Sequence, residues 1–149
     1  MNANLESDLF LDTNILVYAY DRSAGSKHTI SQKLVEDCWV NGNGCLSLQV
    51  LQEFYVTVTQ KITSPMDYRT ARQILADLAT WRLHSPEASD LLQAIDLQQH
   101  YQLSFWDAMV VQSAATPPRQ SKRRSRSQVQ ERAIASRCPP WFIGGPCAA

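Results

Sequence analysis

Along the first 115 positions, short apolar runs alternate with stretches whose apolar residues recur at three- and four-residue spacing. This is the pattern of a parallel sheet covered by helices. Residues 8–11 predict a first strand, 14–20 a short helix, and 26–39 a second helix with Ile30, Leu34, Val35 and Cys38 turned inward. Asn41-Gly42-Asn43-Gly44 breaks the chain. Cys45-Leu46-Ser47 then reads as a second strand, because it lies between that glycine-rich turn and a helix over 48–60 that would bury Val50, Leu51, Phe54 and Val58. Ser64-Pro65 stops this helix, and 67–81 predicts another, with Ser64 or Asp67 as its cap and Ala71, Ile74, Leu75 and Leu78 on one stripe. Arg82-Leu83-His84 is a candidate third strand. Ser85-Pro86-Glu87 opens a helix reaching Tyr101, with Leu91, Leu92, Ile95 and Leu97 expected toward the core, and a last helix runs from about Phe105 to Ala114.

A chain of 149 residues with 44% hydrophobic content fits one domain with a workable core. It has no run of eighteen apolar residues and no basic-then-apolar start, so neither a membrane span nor a secretory signal is expected, and the expected location is cytoplasmic. The four cysteines (Cys38, Cys45, Cys138 and Cys147) lack C-x-x-C spacing, and the three histidines are scattered, which argues for reduced thiols over a zinc site or a disulfide framework. The net charge of zero hides an asymmetry. Residues 1–107 hold seven Lys and Arg against thirteen Asp and Glu, a balance of −6, while residues 108–149 hold seven against one, a balance of +6. Five of the seven prolines also follow Thr116, and no helical or strand period survives there. The expected division is therefore a domain over 1–115 and an irregular basic Pro/Arg/Ser-rich tail over 116–149, too poor in apolar periodicity to order itself.

Three acids stand out by position. Asp12 ends the first apolar run and precedes a helix, which puts it outside the carboxyl end of a strand, where ligands of open α/β sheets collect. Glu53 lies in the third helical pattern and Asp107 in the last. Each has a bland explanation: Asp12 as a helix cap, Glu53 as a solvated helix residue, Asp107 as an N-terminal charge favoured by the helix dipole. Jointly, three convergent carboxylates suit a hard divalent cation. Phosphodiester hydrolysis needs an activated water and charge stabilisation at phosphorus, which one or two carboxylate-held Mg²⁺ or Mn²⁺ ions supply. Phe54, Tyr55, Phe105 and Trp106 flank two of these acids. Aromatics at helical spacing usually build cores, so Phe54 and at least one of Phe105 and Trp106 are expected to be buried. No catalytic role is assigned to His28, His84 or His100, since none lies near an acid motif.

Three stretches, Phe10-Leu11-Asp12-Thr13-Asn14-Ile15-Leu16-Val17-Tyr18-Ala19, Ser47-Leu48-Gln49-Val50-Leu51-Gln52-Glu53-Phe54-Tyr55 and Leu103-Ser104-Phe105-Trp106-Asp107-Ala108-Met109-Val110-Val111, agree in order, spacing and context with one family. The chain resembles the PIN-domain ribonucleases, and most closely the VapC-type toxins of bacterial toxin–antitoxin pairs, over roughly residues 8–114. That resemblance implies a Rossmann-like α/β/α domain with a short parallel sheet and a Mg²⁺- or Mn²⁺-dependent endoribonuclease acting on structured RNA. It also implies a homodimer and a cognate antitoxin that occupies the site. By the match Asp12, Glu53 and Asp107 are the catalytic and metal carboxylates, Thr13 and Asn14 orient Asp12 and the water, and Ser47 lines the pocket.

The chain departs from the family after Ala115. A further strand with a fourth acidic motif and then a closing strand are expected there, whereas Thr116-Pro117-Pro118-Arg119-Gln120-Ser121-Lys122-Arg123-Arg124 follows, with Glu131 the sole later carboxylate. A reading-frame shift near Ala115 accounts for the change in charge, proline content and periodicity together. A genuine basic arm that neutralises RNA phosphates is the competing explanation. Two functions follow from this reading: an endoribonuclease toxin impaired by loss of the fourth acidic motif, or a catalytically silent protein that binds antitoxin or RNA. A haloacid-dehalogenase-like phosphatase would need an aspartate two places after Asp12, where Asn14 stands.

Overall fold

The computed structural model describes residues 8–116, so the tail expected to be irregular, and any strand after Ala115, lie almost entirely outside the described residues. Within them the order is β1 (Leu9–Phe10), α1 (Thr13–Tyr20), a 3₁₀ turn (Arg22–Ala24), α2 (Ser26–Asn41), β2 (Gly44–Ser47), α3 (Leu48–Gln60), α4 (Tyr68–Leu78), β3 (Arg82–His84), α5 (Ala88–Tyr101) and α6 (Phe105–Ala115). The three strands form one parallel sheet in the order β1-β2-β3, with Phe10 opposite Cys45 and Leu46 opposite Leu83. This is the α/β fold that the alternating pattern predicts, a short parallel sheet with helical crossovers. No helix among the described residues is long and apolar enough to cross a membrane.

β2 is the central strand and all four of its residues are buried, as expected of a parallel strand covered on both faces. Two glycines make its entry possible. Gly42 closes α2 in the left-handed conformation at φ 66°, a cap that an L side chain adopts only at a cost. At Gly44 the Trp81 indole fills the space where a Cβ would stand, and Trp39 meets the same indole edge-on at 5.1 Å. The core runs from Leu16 through Val35, Leu46, Val50 and Phe54 to Ile74 and Leu78, each at most 1% exposed. Burial of side chains of this size contributes about 1.5–3 kcal/mol apiece. Cys38 and Cys45 are free and buried. Burial first, then the charge of Asp37 and the neighbouring Cys45, pushes the Cys38 thiol up to about 11, so it stays a neutral core group at physiological pH.

Two helices depart from the expected stripes, one in part. On α2, Val35 and Cys38 face inward as expected, with Ser31 beside them, but Ile30 stands 69% exposed. On α5, Asp90 and Ala94 face inward, while Leu91, Leu92 and Ile95 are exposed. The cause on α5 is polar: the Asp90 carboxylate accepts from the Glu87 backbone N–H at 2.8 Å, closing a reciprocal cap, and lies 3.7 Å from Nε2 of buried His84. That anchor sets the helix phase, and small Ala94 and Ala108 then let α5 and α6 pack closely around Met109.

Candidate active site

Leu11, 2% exposed, follows β1 and donates its N–H to the Cys45 carbonyl, and the next residue, Asp12, caps α1 at the carboxyl end of the sheet. Asp12 is indeed a helix cap, its Oδ1 accepting from the Thr13 N–H at 2.7 Å. It also lines an open cavity of about 470 Å³ whose wall includes Glu53 from α3 and Asp107 from α6. Capping and site membership are therefore compatible: one carboxylate oxygen serves the helix, while Oδ2 receives only a long bond of 3.3 Å from the Asn14 amide.

The other two acids are held by neutral donors. Glu53 accepts from the Thr13 hydroxyl at Oε2 (2.8 Å) and from the Gln49 amide at Oε1 (2.9 Å). Thr13 and Gln49 are each 8% exposed, so the bonds that fix Glu53 are sheltered from water. Asp107 accepts from the Ser104 hydroxyl at 2.6 Å, and Ser104 in turn accepts from the Asp107 backbone N–H, a closed loop across the first turn of α6. Helix phase explains why these residues meet. Val50, Leu51, Phe54 and Val58 of α3 point into the core, which turns Gln52, Glu53 and Val56 to the cavity. On α6, Ala108, Met109, Gln112 and Ser113 are buried, which turns Trp106, Asp107 and Val110 outward to the same space.

The expected site residues thus fall in different places. Asp12, Glu53, Asp107, Thr13 and Asn14 all line the cavity. Thr13 serves Asp12 with its backbone and spends its hydroxyl on Glu53, so it links α1 to α3 in addition to supporting Asp12. Ser47 is not on the lining; fully buried, it caps α3 by accepting from the Val50 N–H at 3.2 Å. None of the three histidines lines the cavity either. Phe54 is fully buried as expected, whereas Phe105 is only partly buried and Trp106 is 61% exposed on the cavity rim. Gln49, Ser104 and Lys61 carry roles that the motifs alone did not assign. Gln49 at i−4 from Glu53 and Ser104 at i−3 from Asp107 have the spacings that bring helical neighbours together.

Three carboxylates face one ammonium, that of Lys61, among the lining residues. An all-oxygen donor set of Asp, Glu, Thr and Asn suits a hard divalent cation in type. In spacing it is open, since among the described residues no three His, Cys, Asp or Glu stand close enough to hold one ion together. Mg²⁺ takes one or two carboxylates and completes its shell with water and substrate phosphate, a demand that does not require a three-carboxylate cage. The family model of the PIN domain matches residues 9–117, and it therefore spans every residue of this cavity. No curated protein matches the chain at a significant level.

Proposed function

Because this chain belongs to the PIN-domain family, whose members are in general metal-dependent nucleases, we propose that it is a Mg²⁺- or Mn²⁺-dependent endoribonuclease of the VapC toxin type. The observation that carries the reading is the placement of Asp12, at the start of α1, Glu53 on α3 and Asp107 on α6 along one cavity at the carboxyl end of the sheet. A divalent ion bound there would supply the activated water and the positive charge that phosphodiester hydrolysis needs. Asp12 and Glu53 would hold it. Thr13 and Gln49 hold the Glu53 carboxylate in one orientation, and Asn14 leaves the outer oxygen of Asp12 nearly free. Asp107, tied to Ser104, brings a third negative charge to the cavity. The D-T-N start, the Q-E-F-Y helix and the F-W-D-A helix support the narrower toxin assignment, with structured RNA as substrate, a cognate antitoxin as inhibitor and a homodimer as the working form.

One observation favours a second reading, a catalytically silent antitoxin- or RNA-binding protein: the spacing of the acids is too open for a three-ligand cage. Cleavage of an end-labelled RNA by the full chain separates the two. The nuclease reading expects cleavage that requires Mg²⁺ or Mn²⁺ and stops with EDTA. Asp12→Asn and Glu53→Gln should each lower it by more than the roughly 10- to 100-fold that loss of a supporting partner costs. RNA binding without cleavage at any ion concentration would give the silent reading the field.

A further inference from the structure

Trp106 is an apolar side chain of the largest kind standing 61% exposed at the rim of an acidic cavity. It is not loose. Its ring meets that of Phe105 edge to face, with centroids 5.2 Å apart at 66°, and Phe105 is packed on the Ala94, Ala108 and Met109 cluster between α5 and α6. Val56 and Val110 line the same cavity, giving it an apolar portion beside the carboxylates. Lys61, the residue that closes α3, contributes the single cation among the lining side chains. An anchored aromatic face, an aliphatic wall and one ammonium within about 470 Å³ match the parts of one nucleotide, a π-faced base and an anionic phosphate.

We propose that Trp106 and Lys61 form a nucleotide subsite beside the carboxylates, in which an unpaired base of the RNA stacks on the Trp106 indole and Lys61 meets a neighbouring phosphate. This rests on the nuclease reading and assigns two residues of this chain to one nucleotide of the RNA. A base within a duplex has both faces covered by its neighbours and offers none to Trp106, so the subsite selects a single-stranded or loop segment. The carboxylates repel phosphate, and Lys61 offsets that repulsion where the strand enters the cavity.

The test is equilibrium binding of a fluorescent RNA hexamer to the full chain, by anisotropy, with EDTA present to withhold the divalent ion that cleavage needs. Trp106→Ala should weaken binding by about 5- to 150-fold, the range that stacking of one base represents, and Trp106→Phe should recover most of the loss. Replacing the hexamer's bases one at a time by abasic sites should reproduce that loss at one position on the wild-type protein and be silent at that position on Trp106→Ala. Lys61→Ala should make the log–log salt dependence shallower by about 0.7, one phosphate contact on a single strand. Equal binding by wild type and Trp106→Ala, a wild-type chain indifferent to every abasic position, or no binding of the hexamer would overturn the proposal. Should a substitution impair folding, the abasic series on the unmodified protein still decides. Ion-dependent cleavage lost in Asp12→Asn, together with binding indifferent to Trp106, would overturn this inference alone. Trp106-dependent binding with no cleavage would overturn the nuclease reading alone.

Discussion

Glu53 is held by two uncharged donors, the Thr13 hydroxyl and the Gln49 amide, both nearly buried. Hydrogen bonds to an ionised group contribute more than neutral ones, and a carboxylate fixed in advance loses less freedom on taking up a cation. On the nuclease reading both are positioning residues, and their removal should register first in ion affinity. For Gln49→Leu, and for Thr13→Val, which keeps the shape of the side chain, the expected outcome is a rise of about 10-fold or more in the Mn²⁺ concentration giving half-maximal cleavage. Much of the lost rate should return at saturating Mn²⁺. A merely structural role would lower the melting temperature and leave the Mn²⁺ midpoint in place. Of these contacts, the sequence shows the i, i+4 relation of Gln49 to Glu53, whereas the bond from Thr13 to Glu53 spans 40 residues and follows only from the packing of α1 on α3.

At the scale of elements, α3 is the part of the chain whose structure can be read most fully from its pattern. Val50, Leu51, Phe54 and Val58 are all buried, and the opposite stripe faces the cavity. The same reasoning misplaces α5, because a buried Asp90 bound to the Glu87 backbone outranks three leucine and isoleucine positions in setting the phase, a polar constraint that hydrophobic spacing does not encode. That neither Phe105 nor Trp106 is fully buried has a related reason: α6 buries Ala108, Met109, Gln112 and Ser113, a stripe in which Met109 is the one large apolar residue. Ser47 shows how a motif position can serve the element and not the chemistry. Its hydroxyl caps α3, so Ser47→Ala should reduce stability by about 0.5–2 kcal/mol in denaturant unfolding, with cleavage per folded molecule close to wild type. A large loss of rate at unchanged stability would return Ser47 to the site.

For the molecule as a whole, the proposed function requires an acidic cavity to take up a polyanion. Residues 1–107 carry a balance of −6, and of the side chains lining the cavity only Lys61 is positive, so an RNA phosphate approaching Asp12, Glu53 and Asp107 meets net repulsion. A divalent ion reverses that sign locally, which makes ion binding the step on which the nuclease reading depends. The resemblance to VapC-type toxins leads to the expectation of a fourth acidic motif after Ala115, where Glu131 is the sole carboxylate, so on the nuclease reading the ion should be held more weakly than four carboxylates would hold it. The most direct measurement is therefore a Mn²⁺ titration of the full chain followed by electron paramagnetic resonance, without any RNA. Saturable binding that weakens by about 10-fold or more in both Asp12→Asn and Glu53→Gln, with His84→Gln unchanged, is the predicted result. Binding that is indistinguishable among the wild type and the Asp12, Glu53 and Asp107 amide variants would contradict it.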